Sequence, residues 1–351
     1  MEFGFNFFPD VSPQMKSGQQ YFCEALNLTA LGEECGYSHV RIVEHYFKPY
    51  GGYSPNPVVF LAAAAQRTHT IRLVTGAVLP VFNNPLKLAG ELGMLDAISN
   101  GRLDIGVARA FLPHEFTTFG ISMDESRARF EEGFAALRVL LEQEEASFDG
   151  NFHCFHQVTS LPRPVQQPHP PYWVAAMTTE ESFAKAGASG HNIMAIPLGG
   201  AAMRPLLETY RAAYRAAGHA GQGKVMLAFH MYCAPTDDAA QTVARPLING
   251  YMQRLVAAAS EWEVTESKDY QHYPQMIARL KEQNLDSLLA SGAVWVGSPA
   301  SIRRRIAAFA DQVGGFDSAS LQVMYGTMPE ATAARSIRLF AEQVMPTFRN
   351  V

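Results

Sequence analysis

The chain has 351 residues, 48% of them hydrophobic, and a formal net charge of -5. This length fits one large barrel or two modest domains, the apolar content is ample for a core, and a mildly acidic chain with no Lys/Arg-rich run excludes the electrostatic footprint of a nucleic-acid binder. Cys23, Cys35, Cys154 and Cys233 are far apart and lack CxxC spacing, which points to reduced thiols and away from a disulfide framework or a zinc knuckle.

The first element is a short apolar and aromatic strand, Glu2 to Phe8, stopped by Pro9-Asp10. Its apolar run is too short for a signal peptide and has no basic flank, and no later segment approaches a membrane span. A cytoplasmic protein is expected, in which the sequon Asn27-Leu28-Thr29 is fortuitous. A helix from Tyr21 to Cys35 follows, with Gly36 placed for its C-terminal cap, and then a strand from Ser38 to Glu44. That strand runs into His45, so a carboxylate and an imidazole stand at its C-terminal end, the end that faces the ligand mouth in barrel proteins. Position alone leaves an internal hydrogen-bonding role open for both.

Pro55 to Arg67 is a helix started by proline. Ile71 to Leu79 is a β-branched strand, a Pro-containing loop leads to a helix with Leu88, Leu92, Leu95 and Ile98 on its apolar positions, and Leu103 to Ala108 is a second strand. Two strands joined by such a helix are expected to be parallel neighbours with their C-termini on one face of the sheet. The loop beyond holds Arg109, His114 and Glu115. Ser122-x-x-Glu125 is a capping-box signal for a long helix with Phe130, Phe134, Leu137 and Leu141 on one face, and Arg127 lies in its first turns, where the helix dipole favours an anion.

Ser147 to Arg163 alternates apolar and polar residues around Asp149-Gly150 and reads as a hairpin insertion. Its His153 and His156 show no Cys, Asp or Glu partner at ligand spacing, so no metal site is expected. A proline-rich connector, Pro162 to Pro171, leads to a fifth strand, Tyr172 to Ala176. The turn after it, Met177 to Ser182, offers hydroxyls and N–H groups equally suited to capping a helix and to holding a phosphate. Strands at Asn192 to Ile196, Val225 to Cys233 and Ser318 to Tyr325 complete the set, separated by helices at Met203 to Ala217, from Asp237 to about Ser260, and after Gly297-Ser298-Pro299. A final helix spans Pro329 to Val344. Gly218 to Lys224 imitates a P-loop but follows a helix, precedes a strand and is followed by Val225 in place of Ser or Thr, so it is rejected. The irregular charged segment Glu261 to Pro274 is a candidate lid. Strands alternating with helices predict one (β/α)8 TIM barrel over residues 1–351, with a hairpin insertion before the fifth strand and a lid-like segment after the seventh. The alternative, a doubly wound sheet, lacks G-x-G-x-x-G support.

Several stretches together resemble the bacterial luciferase-like flavin-dependent monooxygenases: FGFNFFP, Gly36-Tyr37 with Glu44-His45, Leu-Pro-x-x-x-Asn-Pro, Leu-Asp-x-x-Ser-x-Gly-Arg, Pro162 to Pro171, Val296-Gly297-Ser298-Pro299 and Ser336 to Pro346. The resemblance implies a barrel that binds reduced FMN at its C-terminal mouth. Dioxygen is the implied co-substrate, a peroxyflavin oxygenates a small organic molecule, and a separate NAD(P)H-dependent flavin reductase supplies the flavin. A homodimer is the family habit. It also leaves open a deazaflavin-dependent oxidoreductase or a non-catalytic flavin-binding subunit on the same fold.

Carried over by position, the resemblance puts Arg109 and Arg127 on the FMN phosphate. Ser182 and the backbone of Met177, Thr178 and Thr179 complete the cradle, in a turn one residue longer than the commoner Ser-Pro-Glu-Ser. Thr75, Gly76 and Ala77 are placed against the flavin ring. His45, with Glu44, is placed at the reactive edge as the group that exchanges a proton, and Tyr46 stands where the luciferase pattern has a second histidine. Phe7, Phe8, Phe111, Trp173 and Met194 are the candidates for a dry substrate-lining wall.

Overall fold

In a computed structural model, which describes residues 1–271 and 273–348, the elements follow one another as β1 (Glu2–Phe7), α1 (Gly18–Glu34), β2 (His39–Ile42), α2 (Pro57–Ala65), β3 (Arg72–Thr75), α3 (Pro85–Ile98), β4 (Leu103–Val107), α4 (Pro113–Phe119) and α5 (Ser126–Glu142). An antiparallel hairpin, β5 (Ala146–Asp149) and β6 (Cys154–Val158), comes next. The chain returns to the barrel with β7 (Tyr172–Ala176), α6 (Glu180–Ala188), β8 (Asn192–Ala195), α7 (Gly200–Ala216), β9 (Val225–Cys233) and α8 (Asp237–Ala259). It ends with α9 (Tyr273–Lys281), α10 (Leu285–Ser291), β10 (Val294–Gly297), α11 (Pro299–Val313), β11 (Ser318–Gln322) and α12 (Glu330–Gln343).

Eight parallel strands close on themselves in the order β1-β2-β3-β4-β7-β8-β9-β11, with β11 returning to β1. This is the (β/α)8 TIM barrel expected from the alternation of elements, with the hairpin before its fifth strand. The expectation missed β10. This short strand pairs with the far end of β9, Val294 opposite His230 through Gly297 opposite Cys233, and extends the sheet beyond the closed ring.

The alternation of side chains along β1 sorts inside from outside. Phe3, Phe5 and Phe7 point to the helical layer, where Phe5 meets Tyr37 at 4.4 Å between ring centroids and Phe7 meets Phe60 at 5.6 Å. Each fully buried Phe stabilises the sheet–helix packing by roughly 1.5–3 kcal/mol. Gly4, Asn6 and Phe8 face inward. A Cβ on Gly4 would stand 2.3 Å from the His39 ring, so only glycine lets β1 and β2 approach here.

β3 ends earlier than the β-branched run suggests. The Thr75 hydroxyl bonds both the N–H (2.7 Å) and the carbonyl (2.8 Å) of Gly106, which replaces the regular ladder to β4. The Gly76–Ala77 peptide is cis, and the chain rejoins β4 only at Val78 opposite Val107. The start of α5 also differs. Ser122 caps a separate 3-10 turn, Met123–Glu125, and α5 begins at Ser126 without a local side-chain cap. No described helix is long and apolar enough to cross a membrane.

Candidate functional site

The C-terminal ends of β2, β3, β4 and β7 bring most of the sequence-selected residues to one mouth. At the end of β2, His45 is buried between aromatic rings, 5.3 Å from Phe8, 5.7 Å from Tyr50 and 5.8 Å from Phe111 by centroids. Its Nδ1 lies 3.0 Å from Glu115 Oε1, and the same oxygen accepts the Tyr46 N–H at 2.9 Å. Glu115 is fully buried, in the first turn of α4 after Pro113. A carboxylate on Nδ1 fixes the tautomer and leaves Nε2 as the position that accepts or returns a proton. Nothing local in the sequence signals this role for Glu115, because an acid in the first turn of a helix ordinarily serves the dipole.

Glu44 does a different job. Its carboxylate accepts from the Tyr46 hydroxyl, from Asn83 Nδ2 at 2.8 Å and from the Leu79 N–H at 3.1 Å, which ties the β2 end to the loop after β3. Burial pushes its pKa up to about 7 against the lowering effect of those bonds. Both oxygens are committed, so Glu44 anchors the loop after β3 to the end of β2.

A second part of the mouth, beyond β4, is built around hydrogen-bond donors to an anion. Asp269 Oδ2 accepts from the Arg127 backbone N–H at 3.2 Å and from Ser126 Oγ at 3.4 Å, so it supplies the cap that α5 lacks locally. Arg109 lies 3.7 Å from that oxygen through Nη1 and donates to the Asp269 carbonyl through Nη2 at 3.2 Å, while its guanidinium stacks 4.1 Å over the Tyr270 ring. Arg109 Nη1 is buried without a hydrogen bond of its own. The Arg127 side chain reaches Glu181 in the first turn of α6, 3.3 Å away, and Thr179 and Ser182 share a 2.7 Å hydroxyl–hydroxyl bond at the same helix start. Thr178 is exposed on this turn, and Met177 Sδ accepts from the Tyr273 hydroxyl at 3.4 Å. Arg109, Arg127, Met177, Thr178, Thr179 and Ser182 therefore border one region.

The candidate lid covers this region as two 3-10 turns, Ser260–Glu263 and Lys268–Tyr270, leading into α9; His272 lies outside the described residues. Trp262 Nε1 donates to the Phe111 carbonyl at 2.8 Å, and the Tyr270 hydroxyl bonds the Ala110 carbonyl. The sequence marked the segment as irregular. It did not reveal that Asp269 sits on the helix dipole.

The apolar candidates divide. Trp173 and Met194 line the barrel interior with Val74, Ala77 and Met226, and Trp173 Nε1 donates to Asp104 at 3.1 Å. Phe8 and Phe111 flank His45. Phe7 is corrected: it packs against α2 on the outer face of the sheet and lines no part of the mouth. Thr75 spends its hydroxyl on Gly106, so of this stretch the Ala77 methyl and the backbone are left to face the interior. A Cβ on Gly76 would stand 2.0 Å from Arg41 Cγ.

The hairpin also departs from expectation. Asp149 and Cys154 are register partners and meet His156, with Cys154 Sγ 3.3 Å from Asp149 Oδ1 and 3.5 Å from His156 Nε2. The pairing across the turn brings these residues together, which linear spacing conceals. The trio is exposed, and no fourth protein donor joins it among the described residues.

Comparison with known proteins agrees with this architecture. A family model described as luciferase-like monooxygenase matches residues 1–315. The oxygenase component of a flavin-dependent trigonelline monooxygenase from Acinetobacter baylyi is 29% identical over 334 residues, covering 94% of this chain and 91% of that protein. The crystal structure of the monooxygenase RslO1 from Streptomyces bottropensis superposes with a TM-score of 0.89 at 44% identity, covering 99% of this chain and 100% of that one. The oxygenating constituent of 3,6-diketocamphane monooxygenase from Pseudomonas putida, in complex with FMN, shares the fold with a TM-score of 0.83 at 22% identity over 99% and 98% of the two chains. A family match over most of the sequence, carried by a closed eight-stranded barrel, makes this chain a member of the luciferase-like monooxygenase family.

Proposed function

We propose that the protein is the FMN-binding oxygenase component of a two-component monooxygenase, which uses dioxygen to oxygenate a small organic molecule. The observation that carries this reading is the donor set gathered on one anionic oxygen: Ser126 Oγ, the Arg127 N–H and the Arg109 guanidinium, at the start of a helix with no local cap. A phosphate monoester suits that set, because a helix N-terminus with hydroxyl and arginine donors satisfies several oxygens at once. Asp269 and a phosphate cannot share these donors, so phosphate binding requires the 260–271 segment to withdraw. The hydroxyls of Thr179 and Ser182, the backbone of Met177 and Thr178, and the Arg127 side chain border the same region and complete the cradle.

Bound reduced FMN would supply the electrons that activate dioxygen. The chain's own residues do the rest. The Thr75–Ala77 backbone, without a side chain at Gly76, offers a flat surface to the flavin ring. His45, oriented by Glu115, holds a proton at Nε2 within an aromatic wall formed by Phe8, Tyr50 and Phe111, and returns it as the oxygenated product forms. Trp173, Met194 and Phe111 exclude water, as an oxygen-reactive site requires. The name of the Acinetobacter relative supports a partner component, here proposed as an NAD(P)H-dependent flavin reductase, and family habit supports a homodimer.

The test is to titrate the protein with FMN and with a deazaflavin, then to follow oxygen uptake on adding FMN that a reductase keeps reduced. Tight FMN binding and substrate-dependent oxygen uptake are expected. Preference for the deazaflavin with no oxygen uptake would transfer the fold to hydride chemistry, and binding of neither cofactor would overturn the proposal.

A further inference from the structure

The interior of the barrel holds a positive charge that the proposed chemistry at the mouth leaves unused. Arg41 lies on β2, pointing inward and 7% exposed, and among the described residues it forms no ion pair. Its Nε donates to Asn6 Oδ1 at 3.0 Å, and Nη1 faces Met194 Sδ at 3.7 Å. A thioether is a weak acceptor, so most of the five guanidinium N–H groups lack a strong partner.

The surrounding polar groups cannot supply one. Asn6 Nδ2 lies 3.5 Å from Gln322 Oε1, and Gln322 Nε2 donates to the Phe8 and Met324 carbonyls at 3.1 and 2.7 Å, so the nearby acceptors are already engaged. Asp104, a carboxylate at the barrel interior, is taken by Arg72 and Trp173. Burial lowers the Arg41 pKa only to about 10, which leaves the side chain charged at neutral pH. A buried charge without a counter-ion is a costly feature that a fold retains where a ligand completes it.

The position suits a ligand that enters from the mouth. Arg41 lies on β2 and His45 just beyond its C-terminal end, and the Arg41 stem fills the space that Gly76 leaves open. Phe8 and Tyr251, 5.6 Å apart by ring centroids, lie between this level and the His45 corner. His230 adds a further ring 4.7 Å from Tyr251. Burial lowers the His230 pKa to about 4, so the imidazole adds no competing positive charge at neutral pH. A planar body against these rings with an anionic oxygen on the guanidinium would satisfy both features.

We propose that Arg41 receives an anionic oxygen of the organic substrate, so that the molecule oxygenated here is a planar carboxylate or a similarly charged oxyanion. This rests on the barrel mouth being the site of oxygenation. The other source of such an oxygen is the pyrimidine edge of reduced flavin, and the experiment separates the two.

The protein, with and without FMN, is titrated by calorimetry with benzoate and 2-naphthoate, each matched to its neutral amide. The same titrations are run on Arg41→Gln and Arg41→Lys, with FMN affinity measured by fluorescence and folding by thermal melting. The proposal expects a carboxylate preference of about ten-fold or more in the wild type. Arg41→Gln abolishes that preference, Arg41→Lys keeps part of it, and FMN affinity is unchanged in both. A wild type that binds acid and amide alike, or a preference that survives Arg41→Gln, overturns it. Loss of FMN affinity in a folded Arg41→Gln assigns the guanidinium to the flavin and also overturns it. Failure of the wild type to bind FMN would instead strike the proposed function, while the titrations without flavin still report on Arg41.

Discussion

The two sides of the barrel mouth are held in opposite ways. The His45 corner is closed by partners from the neighbouring barrel loops: Glu115 on the imidazole, Glu44 on Asn83 and the Leu79 N–H, and rings on three sides. The α5 corner is held by Asp269, a residue about 140 positions later in the chain, on donors that a phosphate would claim. Under the proposed function, the first corner orients a proton-exchanging group before any ligand arrives, and the second exchanges Asp269 for the phosphate of the cofactor. On the proposed function, proton transfer belongs to the rigid corner and cofactor exchange to the yielding one.

The sharpest way to break this contrast is His45→Ala. Removing a positioned general acid–base group should lower turnover by about 10²–10⁴-fold while FMN affinity, measured by fluorescence quenching, stays the same. Loss of both together would place His45 in cofactor binding.

Glu44 tests the rigid corner through pH. Its folded pKa of about 7 lies above the ordinary 4.5, so the folded state binds the proton more tightly than the unfolded chain. That stability is fully present below about 4.5 and is lost as pH rises through about 7, a change of up to roughly 3 kcal/mol across the window. Glu44→Gln should remove this dependence from the difference between its denaturation curves and those of the wild type. Parallel curves from pH 4.5 to 7 would show that Glu44 titrates normally.

At the yielding corner, Arg109→Ala should weaken FMN by about 10–100-fold, the range of a charge-assisted hydrogen bond to phosphate, and leave riboflavin affinity nearly unchanged. Asp269→Asn should have the smallest effect. Removing the competing charge should tighten FMN by about three-fold, at the cost of a weaker α5 cap visible as a slightly lower melting temperature.

The eight barrel strands and the hairpin were legible because period and turn residues are local signals. The misses have non-local causes. The Ser122 signal marks a turn before α5, while the cap of α5 comes from Asp269 through a tertiary contact. Phe7 and Phe8 are adjacent aromatics, and only the register of β1 with β2 and β11 decides which faces inward. Val294–Gly297 is a four-residue apolar run that local pattern merges into the following helix. Glu115 gains its role only when α4 packs against the β2 end. Arg41 left a usable sign, a charge interrupting the apolar run from Val40 to Val43.

If the α5 start and Arg109 form the phosphate end of a flavin site, flavins with and without a phosphate should part in affinity. Titrating the wild-type protein with FMN and with riboflavin, which has the same ring and no phosphate, tests it most directly. FMN is expected to bind at least about ten-fold more tightly, with the difference shrinking in Arg109→Ala. Equal affinity for the two flavins would contradict it.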